Sequence, residues 1–399
     1  MGIRTFVWMV LATVLLGPVS PAVGRIKLIT LPVRERVEIQ LDHANTTLVE
    51  EERIVPLVRG VNQVDFSWAN TRIDPDTIIF RVVPHAEENE DAPEIHVLSV
   101  SYPPNEKALV WQVSSSASGS ARVRISYILD GLQKSFSYRA VASRDESTLT
   151  LSQYMRLQNL SNEEFGESEI WSGFGQDFNK PIGINETREM LVHRFQNVPI
   201  TKTYTCNPAK FDYLDKKENK LRVHMHYVIK NDAAHQLGQA SLPYGKVRIF
   251  QEDSRGTTAF IGEDWGKFTP IDDEMQLFLG VAQDIVVRRT IEKHEQQHVA
   301  ANAYHHEIIV KYEIENFKTE PVTLNIAEDL EYVRREVRLE PRLPLEWELG
   351  NRTTFAGGMD KEKSTLKDVV FKVDLPARAA DGATEKVTHR LHVFFKNEW

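Results

Sequence analysis

One pentapeptide, from His294 to His298 (HEQQH), has the residue types of a zinc-protease motif. In that motif two imidazoles on one face of a helix bind a single zinc ion, and the glutamate, here Glu295, acts as a general base. Side chains four residues apart are about 6 Å apart on a helix, but roughly 13 Å apart on a strand. Zinc-dependent hydrolysis is therefore a hypothesis that requires this segment to be helical.

The residues around the pentapeptide favour strands instead. The preceding segment, DIVVRRTI, is rich in β-branched residues, and the following one, HHEIIVKYEI, alternates between polar and apolar residues. Gln296 stands where a protease helix has an apolar residue. We therefore expect residues 284–317 to form two extended segments joined by a short polar tip at 293–302, which would hold His294 and His298 too far apart to bind one metal ion. On this interpretation no catalytic residue, metal ligand or cofactor is assigned.

Three further positions carry side chains with possible chemistry. His224 and His226 lie two apart in the alternating segment LRVHMHYVI, so they would share a strand face; they could chelate a metal, but a solvated polar face is expected. His305 and His306 would point to opposite faces, with His306 hydrogen-bonded within the core. Cys206, the single cysteine, is interpreted as a half-buried strand residue and not as a nucleophile or an intermolecular bridge, because no activating base is close to it in the sequence.

Five carboxylates lie in the segment GEDWGKFTPIDDEMQLFLG. Clustered carboxylates can form a calcium site or a glycosidase pair. The spacing here lacks the alternating ligands and the glycine of an EF-hand loop. We therefore predict a charged turn before the strand MQLFLG. The residues are Glu263, Asp264, Asp272, Asp273 and Glu274.

The N-terminus has the pattern of a secretory signal peptide. Arg4 precedes an apolar run, Phe6 to Leu16, that is shorter than the about 20 residues a membrane-spanning helix needs. Small residues follow, so we predict a signal peptide over residues 1–24 with cleavage after Gly24, or else after Ala22. An uncleaved N-terminal anchor is the alternative. No later segment is long and apolar enough to cross a bilayer as a helix.

Composition limits the classes of partner. The chain has 399 residues and a formal net charge of -9, which argues against nucleic acid and against an anionic membrane surface as partners. A single cysteine excludes an internal disulfide, so we expect stability to come from core size and sheet hydrogen bonds. The length exceeds that of one ordinary core, and two or three packed units are expected.

Apolar and polar residues alternate through most of the chain. In SARVRISYIL, the odd-numbered residues from Ala121 to Leu129 are apolar, which is typical of a half-buried antiparallel strand. Turn-forming pairs such as Asp130-Gly131 separate such runs. The sequence predicts an all-β fold of two or three packed antiparallel β-sandwich-like domains with few helices. The predicted domains are 25–145 and 146–399, with a possible sub-boundary near residue 243.

The segment from Leu242 to Thr290 contains a distinctive set of residues. They are Pro243, Gly245, Val247, Phe250, Gly256, Gly262, Glu263, Thr269, Pro270, Glu274, Leu277, Leu279, Gly280 and Asp284. This set resembles the hallmark of the mucoidy-inhibitor A-like family, mostly bacterial exported proteins whose C-terminal part is a domain of unknown function. The N-terminal β region and the closing strands are also similar, although the coiled coil of many relatives is missing. The resemblance implies an all-β exported protein and no particular reaction.

These observations lead to a functional hypothesis without an assigned reaction. We expect a non-catalytic binding or structural component of the bacterial cell envelope, periplasmic or extracellular, with a protein or an envelope glycan as partner. Zinc-dependent hydrolysis by the HEQQH segment is the alternative. A second alternative is an outer-membrane association, because apolar residues alternate before the C-terminus as in an outer-membrane strand. Those residues are Leu391, Val393, Phe395 and Trp399.

Overall fold

The computed structural model describes residues 27–43, 46–84, 93–174, 177–300, 303–339, 344–355 and 357–398. The predicted all-β fold is confirmed. The strands are β1 (Lys27–Thr30), β2 (Arg36–Gln40), β3 (Thr47–Leu57), β4 (Gly60–Ser67), β5 (Ile79–Val82), β6 (Ile95–Ser101), β7 (Ala108–Ser115), β8 (Gly119–Leu129), β9 (Leu132–Ala142), β10 (Thr148–Asn159), β11 (Phe165–Trp171), β12 (Asp177–Ile182), β13 (Thr187–Pro199), β14 (Thr201–Cys206), β15 (Lys220–Leu221), β16 (Val223–Lys230), β17 (Gly245–Glu252), β18 (Thr258–Gly266), β19 (Glu274–Val281), β20 (Ile285–Ala300), β21 (Ala303–Asn316), β22 (Val322–Asp329), β23 (Trp347–Leu349), β24 (Asp368–Leu375) and β25 (Lys386–Glu398). The helical elements of the described residues are α1 (Leu330–Glu336) and two short 3-10 helices, Pro75–Thr77 and Ala233–His235.

Among the described residues, the first of two compact units contains those up to Leu132 together with Asn159–Trp171 and Asp177–Glu186. It is formed by sheet A, in the order β1-β4-β7-β6, and sheet B, in the order β12-β11-β2-β3-β8-β5. The inward-facing residues predicted on β8 are buried. Among them, Tyr127 contacts Phe66 of β4, with ring centroids 5.9 Å apart. Side chains of the two sheets thus share one core, as in a β-sandwich.

The second compact unit contains the described residues of Gln133–Gln158, those at 172–174 and those from Thr187 onward. Three five-stranded sheets form it: sheet C (β13-β10-β9-β17-β18), sheet D (β19-β16-β14-β22-β24) and sheet E (β15-β20-β21-β25-β23). Sheets D and E enclose one apolar core, and sheet C with part of sheet D encloses another. Each fully buried aliphatic side chain contributes roughly 1.5–3 kcal/mol, so these cores can hold the unit together without a disulfide.

Sheet C combines both kinds of strand pairing. β17 pairs with β18 in an antiparallel ladder and with β9 in a parallel one. The parallel approach is close at Gly245, where a Cβ atom would lie 2.5 Å from the carbonyl oxygen of Phe136. Val247 and Ile249 of β17 are buried in the core. Arg248 between them, and the other alternate residues of the strand, therefore point to the outward face of the sheet.

The alternation at the C-terminus is explained by core packing. Leu391, Val393 and Phe395 of β25 are fully buried in the core between sheets D and E. Their period of two is the one expected of a strand with one face on a core. Trp399, the last residue of the predicted outer-membrane pattern, lies outside the described residues.

Two other predictions concern the N-terminal segment and the domain boundaries. The predicted signal peptide, residues 1–24, lies outside the described residues. Within the described ranges, no helix has the length and apolar character needed to cross a membrane. The predicted domains, 25–145 and 146–399 with a sub-boundary near 243, stay a prediction.

Candidate functional site

The flanking segments are extended, as predicted, but the HEQQH pentapeptide itself lies on β20 and not in the predicted tip. β20 continues to Ala300, so the polar tip is shorter than the predicted 293–302 and the pentapeptide is part of the strand itself. His294 Nε2 lies 3.0 Å from Nδ1 of His306 on β21, whereas the ring of His298 contacts Tyr304. Four strand steps separate the two imidazoles by roughly 13 Å. These residues therefore lack the helical geometry of a zinc-protease motif.

His224 and His226 share one face of β16, but that face is not the solvated surface that we expected. The ring of His224 stacks on Phe211, with centroids 3.5 Å apart, and both histidines pack against Phe278 of β19. Burial, with smaller contributions from His226 and Arg222, lowers the pKa of His224 to about 4. Across the described residues, no group of three or more His, Cys, Asp or Glu side chains is arranged to hold a metal ion.

Cys206 and His306 lie deep in the second unit. Cys206 of β14 is fully buried, not half-buried as predicted, and burial raises the pKa of its thiol. A protonated, enclosed thiol is a poor nucleophile. His306 is buried as predicted, with its hydrogen-bond partner on the neighbouring strand, and burial lowers its pKa. Its neighbour His305 accepts a hydrogen bond from the backbone N–H of Asn397.

The five carboxylates do not form one charged turn. Glu263 and Asp264 lie on β18, and only the other three lie at the turn before β19 and at its first residue. Oδ2 of Asp264 accepts a hydrogen bond of 2.7 Å from the backbone N–H of Phe278, which ties β18 to β19. The prediction was wrong for these two residues because the strand β18 continues through them to Gly266.

The outward face of sheet C carries exposed aromatic and basic side chains. On β17 and in the residue before it, every second residue from position 244 points outward, and β18 places its own outward residues opposite them. The neighbouring strand β9 contributes an arginine in register. We call this surface the aromatic face. It consists of Arg139, Tyr244, Lys246, Arg248, Phe250, Phe260, Glu263 and Trp265.

Tyr244 and Trp265 form a stacked pair on this face. Their ring planes differ by 5° and their centroids are 5.1 Å apart, yet the two residues are 57% and 49% exposed. Lys246 lies opposite Trp265 in the ladder, and its ammonium group is 5.3 Å from the indole centroid. The strand ladder thus fixes two flat apolar rings in parallel at the surface, where their outer surface is available to a ligand.

The charged side chains of the aromatic face differ in their partners. Lys246 donates a hydrogen bond of 2.9 Å to Glu263. Arg248 and Arg139 lie side by side in the β9–β17 ladder, and neither has a carboxylate partner among the described residues. The guanidinium of Arg139 lies over the ring of Phe250, 4.9 Å from its centroid. Although Glu252 at the end of β17 is acidic, the middle of the face presents two unpaired cations.

No family model matches the chain, and none of the curated proteins matches it. The sequence drew attention to Glu263 but not to the aromatic pair. The sequence did contain a signal for this pair. Tyr244 and Trp265 are each two residues from a polar side chain, Lys246 and Glu263, and therefore lie on polar strand faces. A large aromatic side chain on such a face is expected to be exposed at the surface.

Proposed function

We propose that this chain is an exported, non-catalytic binding protein of the bacterial cell envelope, and that its aromatic face binds an acidic polysaccharide. The stacked, half-exposed rings of Tyr244 and Trp265 are the observation that carries the proposal. A sugar ring has an apolar face of C–H groups, and such groups pack favourably on the negative face of an aromatic ring. Two parallel rings in a fixed position offer this contact without loss of side-chain freedom on binding.

The free cations of the aromatic face supply the second part of the recognition. A guanidinium can form two parallel hydrogen bonds to a carboxylate, and Arg139 and Arg248 are adjacent and without carboxylate partners among the described residues. The carboxylates of uronic acid units fit these groups. From Tyr244 to Phe250 the face extends roughly 20 Å along the strand, so that more than one sugar unit can bind at once.

The location in the cell envelope is supported by the sequence. The N-terminal pattern is that of a secretory signal, and the resemblance of the Leu242–Thr290 segment to the mucoidy-inhibitor A-like family implies export. The hairpin of β17 and β18 that carries the aromatic face lies within this segment. Membership of that family is part of the proposal.

Binding to polygalacturonate, measured by affinity electrophoresis and calorimetry, tests the proposal. We expect the wild-type chain to bind polygalacturonate and not the neutral polymer dextran. Trp265→Ala should weaken binding at least tenfold, which is about 1.4 kcal/mol, because it removes half of the stacked pair. Trp171→Ala is the matched control, because Trp171 of β11 is similarly exposed (43%) and lies outside the aromatic face.

Arg248→Gln should weaken the binding of polygalacturonate because it removes one unpaired guanidinium. A wild-type chain that binds no acidic polysaccharide, or an equal loss in Trp265→Ala and Trp171→Ala, would show that the proposal is wrong. Tighter binding to an oligodeoxythymidine would also overturn it, since aromatic and basic side chains together can bind single-stranded nucleic acid.

A further inference from the structure

A cavity of about 380 Å³ lies beside α1 in the second unit and shares no lining residue with the aromatic face. The loop from 208 to 219 and the helix α1 line it. Its half-buried lining residues include Phe211, Tyr213, Tyr332 and Glu336, whereas its exposed rim carries Lys210, Asp212 and Lys216. Aromatic rings and one carboxylate thus lie deeper than the solvated charges.

A buried ion pair lies next to this cavity. Arg289 of β20 donates two hydrogen bonds of 2.9 Å to the carboxylate of Glu328 on β22, and both side chains are almost completely buried. Tyr312 donates a further hydrogen bond to Glu328. The carboxylate of Glu328 is therefore fully satisfied, and it shares the compensating charge of Arg289 with Glu336.

Glu336 is left with only part of a counter-charge. Its Oε2 lies 2.7 Å from an Nη atom of Arg289, but the two groups are not aligned as a hydrogen bond. Burial raises the pKa of Glu336 despite this contact. The side chain is 24% exposed and lines the cavity. One guanidinium thus faces two carboxylates, and the second of them would be stabilised by a cation inside the cavity.

The rings around Glu336 also favour a cation. Tyr332 already has the guanidinium of Arg289 5.8 Å from its ring centroid, and Phe211 and Tyr213 line the same cavity. Aromatic rings attract ammonium groups through their negative faces, more strongly when water is excluded. We propose that this cavity binds the quaternary ammonium group of a small ligand between these rings and the carboxylate of Glu336. Lys210 and Lys216 at the rim favour a ligand whose other end is neutral or anionic.

Choline and its neutral isostere 3,3-dimethylbutan-1-ol are the probes that test this proposal. The full mature chain should bind choline with a dissociation constant on the order of 1 mM by NMR titration, and the isostere should not bind. Glu336→Gln should weaken choline binding at least tenfold. Glu218→Gln is the control, because it makes the same change of charge on the 208–219 loop at a position that does not line the cavity.

Substitution of one ring provides a test that does not depend on Glu336. Tyr332→Phe should keep most of the choline affinity because the ring remains, whereas Tyr332→Leu should lose it. Equal binding of choline and the isostere, or unchanged affinity in Glu336→Gln, would overturn the proposal. Trp265→Ala should bind choline like the wild type, so that failure at the aromatic face and failure at this cavity are distinguishable.

Discussion

The chemistry of a single side chain in this molecule depends on what packs against it. His224 is one of two histidines spaced as in a chelating strand, but Phe211 stacks on its ring and Phe278 packs beside it. Phe211 comes from a loop and Phe278 from another strand. The sequence around His224 could therefore predict that His224 shares a strand face with His226, but not that aromatic rings cover this face. Arg289 illustrates the opposite case: it occupies an apolar-face position after Ile285 and Val287, and this alternation alone indicates a buried charge that needs a partner.

His224 should make the stability of the protein depend on pH. Its pKa is about 4 in the folded chain, compared with about 6.5 when unfolded. As the pH falls, His224 is therefore protonated in the unfolded chain before it is protonated in the folded chain. Its contribution to the free energy of unfolding is complete above about pH 6.5 and is lost as the pH falls toward 4. His224→Phe should keep the stack with Phe211 and reduce this loss, as measured by the melting temperature between pH 4 and 7.

The pH dependence will be reduced in His224→Phe and not abolished, because burial also lowers the pKa of His226. The exposed His96, whose side chain is 62% exposed, is the matched control for substitution by phenylalanine. A variant whose melting temperature depends on pH as steeply as that of the wild type would contradict the assignment.

Strands were the most predictable elements, because the alternation of apolar and polar residues within a segment is enough to indicate a strand. The flanks of HEQQH indicated extended chain, and β20 and β21 form a single long hairpin. The parallel pairing of β17 with β9 could not be predicted, since the two strands are more than 100 residues apart in the sequence. The contribution of Arg139 to the aromatic face was missed for the same reason, because Arg139 lies beside Arg248 only through that pairing.

Gly245→Ala should test the close approach of β9 and β17. A Cβ at this position would lie 2.5 Å from the carbonyl oxygen of Phe136, so the ladder must shift, at a cost of roughly 1–3 kcal/mol. We expect a lower melting temperature and weaker binding at the neighbouring Tyr244. Gly119→Ala is the control, because a Cβ there would meet no atom within 4 Å. Equal stability of the two variants would count against the close approach.

At the scale of the whole molecule, the fold class could be read from the sequence and the site could not. Alternation and turn residues predicted an all-β chain, and the absence of a disulfide required large apolar cores of the kind that sheets D and E form. The buried partners Arg289 and Glu328 lie 39 residues apart, and the rings of the cavity come from a loop and a helix. Such groups meet only when the complete unit has folded.

The proposed export predicts a defined N-terminus on the protein outside the cytoplasm. If residues 1–24 are a cleaved signal, the exported chain begins at Arg25, and cleavage after Ala22 would give Val23 instead. Intact mass spectrometry of the protein from the periplasmic and extracellular fractions measures this directly. A full-length chain that starts at Met1 and stays with the membrane fraction would support the uncleaved anchor.

The enclosure of Cys206 has a practical consequence for spectroscopy. The only native thiol is buried in the core and protonated. Thiol-directed dyes and spin labels will therefore not react with it while the chain is folded. A cysteine introduced on an exposed strand or loop can then be tagged selectively without first removing the native one. Distances between a tagged site and a bound ligand thereby become accessible in the unaltered scaffold.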